Sequence, residues 1–229
     1  MKLVNTNVEL LAMTPEPLLL LERAGRICYK SEHKTECSDD HKVVAGECIT
    51  CNERATRFVT NIIKRGHESV LEHASATFKI VTNRGVTHEL VRHRVGVAFS
   101  QESTRYCNYG NDFNVLRATP IPDYYNCSVE PDAGNVAMDA MRDAEAHYNR
   151  LLEIGVAPQI ARCILPIGIK TEIIMTANFR ALRHMLNLRL YGTTGAPHPH
   201  IKDVFSYIKH LLDETSAAPV FADLGDTDA

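Results

Sequence analysis

The spacing of apolar residues predicts a chain of alternating strands and helices. Residues 133–154 carry apolar side chains at alternating steps of four and three, which is typical of an amphipathic helix. Residues 74–82 alternate polar and apolar positions, as a strand does when one face of its sheet is buried. Two further strands are predicted at 3–13 and 171–177. A helix is predicted to begin at Thr14-Pro15, with Leu18, Leu19, Leu21 and Ile27 on its buried side. The other predicted helices are 53–65, 83–93, 158–164, 178–189 and 201–212.

Polar stretches between these elements indicate the loops, the tail and the domain boundaries of the chain. Residues 31–52 are polar with mixed charges and indicate a variable loop, and residues 216–229 are acidic and small and predict a flexible tail. Pro120, Pro122 and Pro131 mark a further loop. Because no linker or repeat divides the rest, we predict one α+β domain over residues 1–215, with a mixed sheet packed against helices.

Composition and charge restrict the kinds of molecule that the protein is expected to bind. A chain of 229 residues that is 45% hydrophobic can bury the core of one large domain or of two small ones. A net charge of −3 provides no global basic field that would recruit nucleic acid or a membrane surface. No apolar run approaches the ~20 residues of a membrane-spanning helix. We therefore expect a cytoplasmic protein that binds neither nucleic acid nor membrane.

The cysteines raise the question of a metal site. Seven are scattered along the chain, an odd number that does not indicate a disulfide framework. Cys48 and Cys51 form a CxxC pair with Cys37 and His41 nearby, and these are zinc ligand types. The ten residues between Cys37 and Cys48 do not form the second CxxC of a zinc ribbon. We favour reduced thiols on a variable loop and keep a structural zinc clip as the alternative.

The segment ELVRHRVGVAFSQESTRYCNYG, residues 89–110, concentrates groups that bind anions. Its Arg-His-Arg at 92–94 could by itself be explained as cations at a helix C-terminus, where each contributes about 0.3–1 kcal/mol. Residues 100–106 add hydroxyls, an amide and another arginine. Guanidinium groups bind phosphates in pairs of hydrogen bonds, and amides and hydroxyls can read the edge of a base. A nucleotide is the ligand that uses both.

The segment GHESVLEH, residues 66–73, has the residue types of a metal site. His67 and His73 are six apart, about 240° around an α-helix at ~100° per residue, so a regular helix cannot aim both at one ion. We favour hydrogen-bonding roles for them. The alternative is a metal-dependent nucleotide hydrolase that uses His67, Glu68, Glu72 and His73.

Two further segments place arginines among apolar residues. Residues 177–190, ANFRALRHMLNLRL, contain Arg180, Arg183 and Arg189 on an otherwise apolar helix, so at least one polar stripe should meet another surface. Arg162 in GVAPQIARCILP is expected to have a carboxylate or phosphate partner. Neither GxGxxG nor a P-loop motif occurs, so side chains would have to hold any dinucleotide.

Taken together, these segments resemble the flavin-dependent thymidylate synthases. RHR…FSQESTRY is similar to that family's motif of Arg-His-Arg, seven residues and Ser. IIKRGHESVLEH, GVAPQIARCILP and TANFRALRHMLNLR resemble further family segments in the same order. Two features depart from the family: eight residues separate Arg94 from Ser103, with the extra one in VGVA at 95–98, and the cysteine loop has no counterpart.

The resemblance implies the thymidylate synthase-complementing protein fold and an obligate homotetramer with shared active sites. It implies methylation of dUMP to dTMP, with 5,10-methylenetetrahydrofolate as carbon donor, FAD as cofactor and NADPH as its reductant. The implied FAD contacts are His67, Ser69, Arg92, His93, Arg94, Gln101, Asn178, Arg180 and His184. The implied dUMP contacts are Glu89, Arg92, Gln101, Glu102, Ser103, Thr104, Arg105, Arg162 and Arg189. Arg189, which meets the uracil ring, is the implied catalytic residue, and no metal is implied.

Overall fold

The computed structural model of the chain describes residues 1–35, 43–44, 47–110, 112–117 and 133–225. Its helices are α1 (Pro17–Ile27), α2 (Ile49–Lys64), α3 (Arg84–Leu90), α4 (Ala133–Glu153), α5 (Pro158–Ala161), α6 (Phe179–Arg189) and α7 (Pro199–Asp213). Its strands are β1 (Lys2–Val4), β2 (Asn7–Met13), β3 (Val43–Val44), β4 (Glu47–Cys48), β5 (Ser75–Asn83), β6 (Val97–Gln101), β7 (Asn114–Leu116) and β8 (Lys170–Asn178). Short 3-10 helices lie at Glu32–Thr35, Glu68–His73, Arg162–Ile164 and Ala218–Val220.

The main sheet has four strands in the order β2-β5-β8-β6. Each neighbouring pair in it is antiparallel, so the predicted mixed sheet is wrong for this layer. Parallel pairing occurs between β1 and β7, in a separate two-stranded ribbon. The predicted strand 3–13 is therefore two strands, because its first residues pair with β7 and its last with β5.

Alternation along the central strands builds the core. In β5, Ala76, Phe78 and Ile80 are buried on one face, and β8 adds Ile173 and Met175 to the same cluster. The opposite face is polar, as the ion pairs and hydroxyl contacts across it show: the side chains of Thr77 and Thr176 are 2.9 Å apart, and Lys79 lies 2.8 Å from Glu172. The predicted half-buried strand at 74–82 is thereby confirmed as β5, and the strand predicted at 171–177 is β8.

Each long helix buries one face. In α1, Leu18 and Leu21 are buried, but Ile27, predicted inward, is 58% exposed because it lies at the last residue of the helix. In α4, Tyr148 is fully buried and centres a second apolar cluster with Tyr109 and Phe113. None of the helices in the described ranges combines the length and apolar character needed to cross a membrane.

Helix starts follow local capping chemistry. Asn83 caps α3, its Oδ1 accepting the Val86 N–H at 2.9 Å, as its position in the sequence predicts. Helix α3 ends at Leu90, three residues before the predicted end, so the Arg-His-Arg sequence lies in the following turn. Helix α2 begins at Ile49, earlier than the predicted residue 53, because the Cys48 Sγ caps it by accepting the Cys51 N–H at 3.4 Å.

The C-terminal segment differs from the flexible tail expected from residue 216. Ala217, Val220 and Phe221 are fully buried in the main core, and the rings of Phe221 and Phe179 pack edge to face at 5.3 Å. The acidic composition concealed these few apolar anchors. Residues 226–229, Cys37, His41 and the proline loop lie outside the described residues, so the zinc clip and the loop remain predictions, as do the domain limits.

Gly96 joins the edge strand β6 to the start of α6. Its carbonyl accepts the Asn178 N–H at 2.9 Å, and its φ is +70°, a conformation that side chains disfavour. A Cβ at Gly96 would lie 2.3 Å from the Asn178 amide nitrogen Nδ2. Asn178 also caps α6, its Oδ1 accepting the Ala181 N–H at 2.8 Å. The missing side chain at Gly96 therefore allows the capping residue of α6 to pack against the turn.

We predict that Gly96→Ala destabilises the fold more than Gly66→Ala does. Both glycines have a φ of +70°, but a Cβ at Gly66 would meet nothing within 4 Å. The two variants share the backbone cost of about 1–2 kcal/mol, and only Gly96→Ala adds overpacking of about 1–3 kcal/mol. Denaturant unfolding measures the difference; equal losses of unfolding free energy would mean that the contact with Asn178 is unimportant.

Candidate active site

Helix α6 carries four of the residues predicted for the site. Its capping residue Asn178 is half-buried between Gly96 and the first turn. Two residues further, the Arg180 Nη1 donates to the Glu72 Oε1 at 2.6 Å on an exposed surface. His184 is exposed, and Arg189 ends the helix with its side chain 24% exposed. At ~100° per residue, Arg180 and His184 form one polar stripe of the helix, and Asn178 and Arg189 form a second.

At the end of α6, Arg189 contacts two other predicted site residues. Its Nη1 donates to the Glu89 Oε2 at 2.9 Å, and its Nε donates to the His93 Nε2 at 3.2 Å. The His93 ring also packs edge to face against His184, with centroids 6.0 Å apart. The structure therefore brings Glu89, His93, His184 and Arg189 together, although about 100 residues of sequence separate the first from the last. We call these four residues the Arg189 network.

His93 is neutral at pH 7 in this network. Burial lowers its pKa from the ordinary 6.5 to about 4, and the neighbouring Arg189 and His184 lower it further. Its Nε2 accepts a hydrogen bond from Arg189, so the single proton of the neutral ring lies on Nδ1. His93 consequently orients the guanidinium without adding a competing charge.

Arg189 retains donors for a ligand. A guanidinium has five N–H groups. In the described part of the chain, one hydrogen bond to His93 and one to Glu89 use two of the five, which leaves three. A half-buried cation held from two sides with donors to spare is suited to an electron-rich planar ring or an anion.

The turn after α3 exposes the other two members of the Arg-His-Arg sequence. Arg92 and Arg94 are both exposed, and Val95 beside them is 89% exposed. Val95 and Gly96 of the VGVA segment lie in this turn, and Val97 and Ala98 are the first residues of β6. The two guanidinium groups are available to an anionic ligand.

The next predicted residues, Gln101 and Glu102, hold the backbone of the motif. The Gln101 Nε2 donates to the hydroxyls of Thr87 and Thr171 at 2.9 and 3.2 Å. Glu102 accepts from the Tyr109 hydroxyl at 2.6 Å and from the backbone N–H of Glu172 at 3.2 Å. Burial raises the pKa of Tyr109 and so does its bond to Glu102. Both predicted ligand residues are already engaged within the chain, and their contacts to a ligand remain predictions.

Residues 103–105 and Arg162 form a second group. Thr104 is buried, and its Oγ1 accepts from the Arg162 Nη1 at 3.1 Å. Arg162 is itself exposed, not embedded as expected, and a hydroxyl orients it. Its expected carboxylate or phosphate partner stays a prediction. Ser103 accepts the backbone N–H of Arg105, whose guanidinium is exposed over the Tyr106 ring.

His67 and Ser69 lie at a pocket of about 260 Å³ that Phe58, Ile62 and Val70 also line. The segment Glu68–His73 is a 3-10 helix, in which residues six apart share a side but are roughly 12 Å apart along the axis. His67 and His73 therefore still do not face one ion. Within the described ranges, no group of three or more His, Cys, Asp or Glu could hold a metal.

Several residues that shape the site were not singled out from the sequence. Thr87, Tyr109 and Gly96 each position a predicted site residue, but nothing in the local sequence distinguishes them. Arg183 gives a clearer signal because an arginine between Leu182 and Met185 on an apolar helix face needs a partner.

We predict that His93 titrates near pH 4 and that Arg189→Gln raises its pKa by removing a nearby cation. Since the unfolded histidine takes up a proton near pH 6.5, His93 stabilises the fold fully above pH 6.5, and this stability is lost as pH falls from 6.5 towards 4. NMR titration of the His93 ring measures both pKa values. Arg142→Gln, in an exposed pair with Asp139, is the control and should leave the pKa unchanged. An unchanged pKa in Arg189→Gln would contradict the assignment.

Comparison with known proteins extends these findings over most of the chain. Residues 9–215 match the family described as thymidylate synthase complementing protein. The flavin-dependent thymidylate synthase of Geobacter sulfurreducens is 36% identical over 183 residues, covering 80% of this chain and 72% of that protein. That of Pyrococcus furiosus is 34% identical over 184 residues, covering 80% and 70%.

A solved structure supports the fold independently. The UMP/dUMP methylase PolB from Streptomyces cacaoi, bound with 5-Br dUMP, has a TM-score of 0.76 to this chain and covers 98% of both chains. At 23% identity this likeness bears on the fold alone. The family resemblance seen in the sequence is confirmed by the match over residues 9–215. The chain belongs to the thymidylate synthase complementing protein family, which includes the flavin-dependent thymidylate synthases.

Proposed function

We propose that this chain is a flavin-dependent thymidylate synthase that methylates dUMP to dTMP. In this reaction 5,10-methylenetetrahydrofolate provides the carbon, and FAD, reduced by NADPH, provides the hydride. The observation that carries the proposal is the Arg189 network: a guanidinium held by Glu89 and a neutral His93, with donors left for a ligand. Family membership and the curated relatives support the same reaction.

The predicted FAD residues fit a flavin dinucleotide by their chemistry. Exposed Arg92 and Arg94 suit the two phosphates, which guanidinium groups bind through paired hydrogen bonds. The pocket beside His67 and Ser69 has aromatic and aliphatic walls with polar groups at its edge, as a planar heteroaromatic ring requires. When bound, FAD supplies the redox chemistry that no side chain of this protein provides.

The second group of residues suits a nucleoside monophosphate. Exposed Arg105 and Arg162 are assigned to the phosphate, and Ser103 beside them adds a hydroxyl donor. The hydrogen bond that Arg162 donates to Thr104 fixes the direction of its guanidinium before a ligand binds. Preorganisation of this kind reduces the entropy cost of binding. The engaged side chains of Gln101 and Glu102 stabilise the strand end from which this segment projects.

The role assigned to Arg189 is electrostatic. For uracil to become a carbon nucleophile, negative charge must develop on its ring nitrogen and carbonyl oxygen. A guanidinium already oriented by His93 and Glu89 stabilises that charge without reorganising during the reaction. Unlike a lysine or histidine, it keeps its own proton throughout.

The proposed site is shared between subunits of a homotetramer. The pocket beside His67, at about 260 Å³, is smaller than the ~300–1,000 Å³ typical of ligand pockets. One chain therefore supplies only part of the enclosure that a dinucleotide needs. The exposed guanidinium groups of the Arg92–Arg94 turn are placed to meet a ligand held partly by a second subunit. The cytoplasmic location expected from composition remains a prediction.

The metal-dependent hydrolase is less well supported. Two of its proposed ligands are occupied: Glu72 accepts from Arg180 at 2.6 Å and Glu68 from Arg183 at 3.3 Å. A carboxylate neutralised by a guanidinium is a weaker ligand for a cation. That alternative requires a colourless protein whose activity is inhibited by chelators.

The visible spectrum and a turnover assay test the proposal on the purified protein. We expect flavin absorption bands that NADPH bleaches, and conversion of dUMP to dTMP that needs both NADPH and 5,10-methylenetetrahydrofolate. Chelators should leave the rate unchanged. A folded protein that binds no flavin, or binds it without forming dTMP, would refute the assignment.

We predict that Arg189→Ala lowers kcat for dTMP formation by about 10²–10³, which corresponds to about 2.7–4 kcal/mol, while FAD stays bound. The physical reason is the loss of a fixed donor that acts mainly in the transition state. Steady-state kinetics and the flavin spectrum are the two measurements. Arg142→Ala, on the exposed face of α4, is the control for loss of a guanidinium and should keep wild-type turnover. Near-normal turnover of Arg189→Ala would remove Arg189 from the mechanism.

A further inference from the structure

Arg183 is a buried arginine among the exposed polar residues of α6. Only 5% of the residue is exposed, whereas Arg180 and His184 on the same helix are exposed. It lies on the side of the helix that faces the core, with Leu182 and Met185 as buried neighbours. Burying a guanidinium is unfavourable unless anions and acceptors surround it, so its partners indicate what the residue does.

Three nitrogens of Arg183 bind partners from two other parts of the chain. Nη1 and Nη2 donate to the two carboxylate oxygens of Asp223 at 2.6 and 2.7 Å, a planar two-bond pair. Nη1 also donates to the carbonyl oxygen of Val220. Nε donates to the Glu68 Oε1 at 3.3 Å. The bond from Arg183 holds the pKa of Asp223 below its ordinary value. We call these contacts the Arg183 clamp.

The clamp joins two of the segments to which FAD contacts are assigned. Glu68 lies between His67 and Ser69, so a bond to Glu68 fixes the 3-10 turn that carries both of those residues. Arg183 itself precedes His184 by one residue and follows Arg180 by three. The rotation and position of α6 relative to the turn are therefore set by Arg183, and the exposed bond between Arg180 and Glu72 adds to it.

The anchor of the clamp is in the C-terminal segment. Asp223 follows Val220 and Phe221, which are fully buried, so its carboxylate is attached to a fixed backbone. Asp223 also lies beyond the residues 9–215 that match the family. This support for α6 is thus provided by a part of the chain outside the family match.

We infer that Arg183 and Asp223 are positioning residues of the flavin site, and that the C-terminal segment acts through them to set FAD affinity. The inference rests on the proposed function. Neither residue is assigned a contact with FAD or dUMP. They hold the His67–Ser69 turn and α6 in fixed positions relative to each other. Binding sites require their contact groups within about 0.5 Å of the productive geometry, and a two-bond ion pair restricts rotation more than apolar packing does.

Removing the charge of Asp223 tests the inference with little change of shape. We expect Asp223→Asn to raise the Kd for FAD about tenfold or more, the size of effect typical of outer-shell partners. Asp223→Glu should recover part of the affinity because a carboxylate still faces Arg183. Arg183→Lys should weaken FAD binding as Asp223→Asn does, because a lysine keeps the charge but cannot form two parallel bonds. Arg183→Lys also allows the inference to be tested if Asp223→Asn does not fold.

Asp213→Asn is the matched control. Asp213 pairs with Lys209 within α7 at 2.7 Å and has a similar side-chain exposure, 44% against 51% for Asp223, but it does not contact α6 through that pair. FAD is titrated into flavin-free full-length protein below the melting temperature of every variant, with fluorescence quenching as the signal. We expect the Kd of Asp213→Asn to stay within about twofold of the wild type, which corresponds to about 0.4 kcal/mol.

The possible results distinguish a failure of the proposed function from a failure of the positioning role of Arg183 and Asp223. A wild-type protein that does not bind FAD would refute the proposed function before any variant is compared. If the wild type binds FAD and Asp223→Asn binds it equally well, the clamp has no positioning role. Equal loss in Asp223→Asn and Asp213→Asn would attribute the effect to general charge removal and overturn the inference as well. Loss in Asp223→Asn with recovery in Asp223→Glu supports it.

Discussion

The neutralisation of three arginines on α6 determines how the rest of the structure is arranged. Arg180 pairs with Glu72, Arg183 with Asp223 and Glu68, and Arg189 with Glu89, so the partners come from the Glu68–His73 turn, the C-terminal segment and α3. Arg183 is buried, and losing a partner there leaves an uncompensated charge. The outer two are partly exposed, where an ion pair is worth about 0–1 kcal/mol and a ligand anion can compete for the cation. One helix therefore combines a fixed centre with two ends that can exchange partners.

The second constraint is the edge position of β6. Within the described residues β6 pairs only with β8, so it is an edge strand of this sheet, and the motif residues that precede and follow it leave the sheet at that edge. Gly96 brings that edge against Asn178 at the start of α6. The motif and α6 are thus in contact through backbone and cap, and the Arg189 network joins them again at the far end of the helix. Two contacts at opposite ends fix the orientation of the helix against the motif.

Local patterns predicted much of this arrangement. Alternation identified β5, steps of four and three identified α4, and the asparagine at 83 identified the start of α3. Long-range pairing was not visible in those patterns. The split of the first strand, the antiparallel main sheet and the packing of the C-terminal segment all depend on partners far away in sequence. The bond between Arg183 and Glu68 spans 115 residues, and no local rule specifies such a partner.

The assignment of site residues shows the same limit in chemical terms. The family motif supplied Gln101 and Glu102 as ligand contacts, but their polar atoms bind Thr87, Thr171 and Tyr109 within the chain. A motif identifies which residue types are required and cannot separate those that contact a ligand from those that hold the contacting residues in place. In the structure, burial distinguishes the two roles: Thr104 is buried and orients Arg162, and Arg162 is exposed to a ligand.

The neutral state of His93 links these electrostatic features to the chemistry proposed for the site. A protonated His93 would have no lone pair on Nε2 to accept the Arg189 N–H, and its charge would repel the guanidinium at 3.2 Å. Burial and the neighbouring Arg189 and His184 prevent that state at neutral pH. Glu89 balances the charge of Arg189 from the other side, so the guanidinium is fixed between an acceptor and an anion. Charge developing on a bound pyrimidine then meets a donor whose orientation is already set, which is the condition under which electrostatic stabilisation acts most strongly.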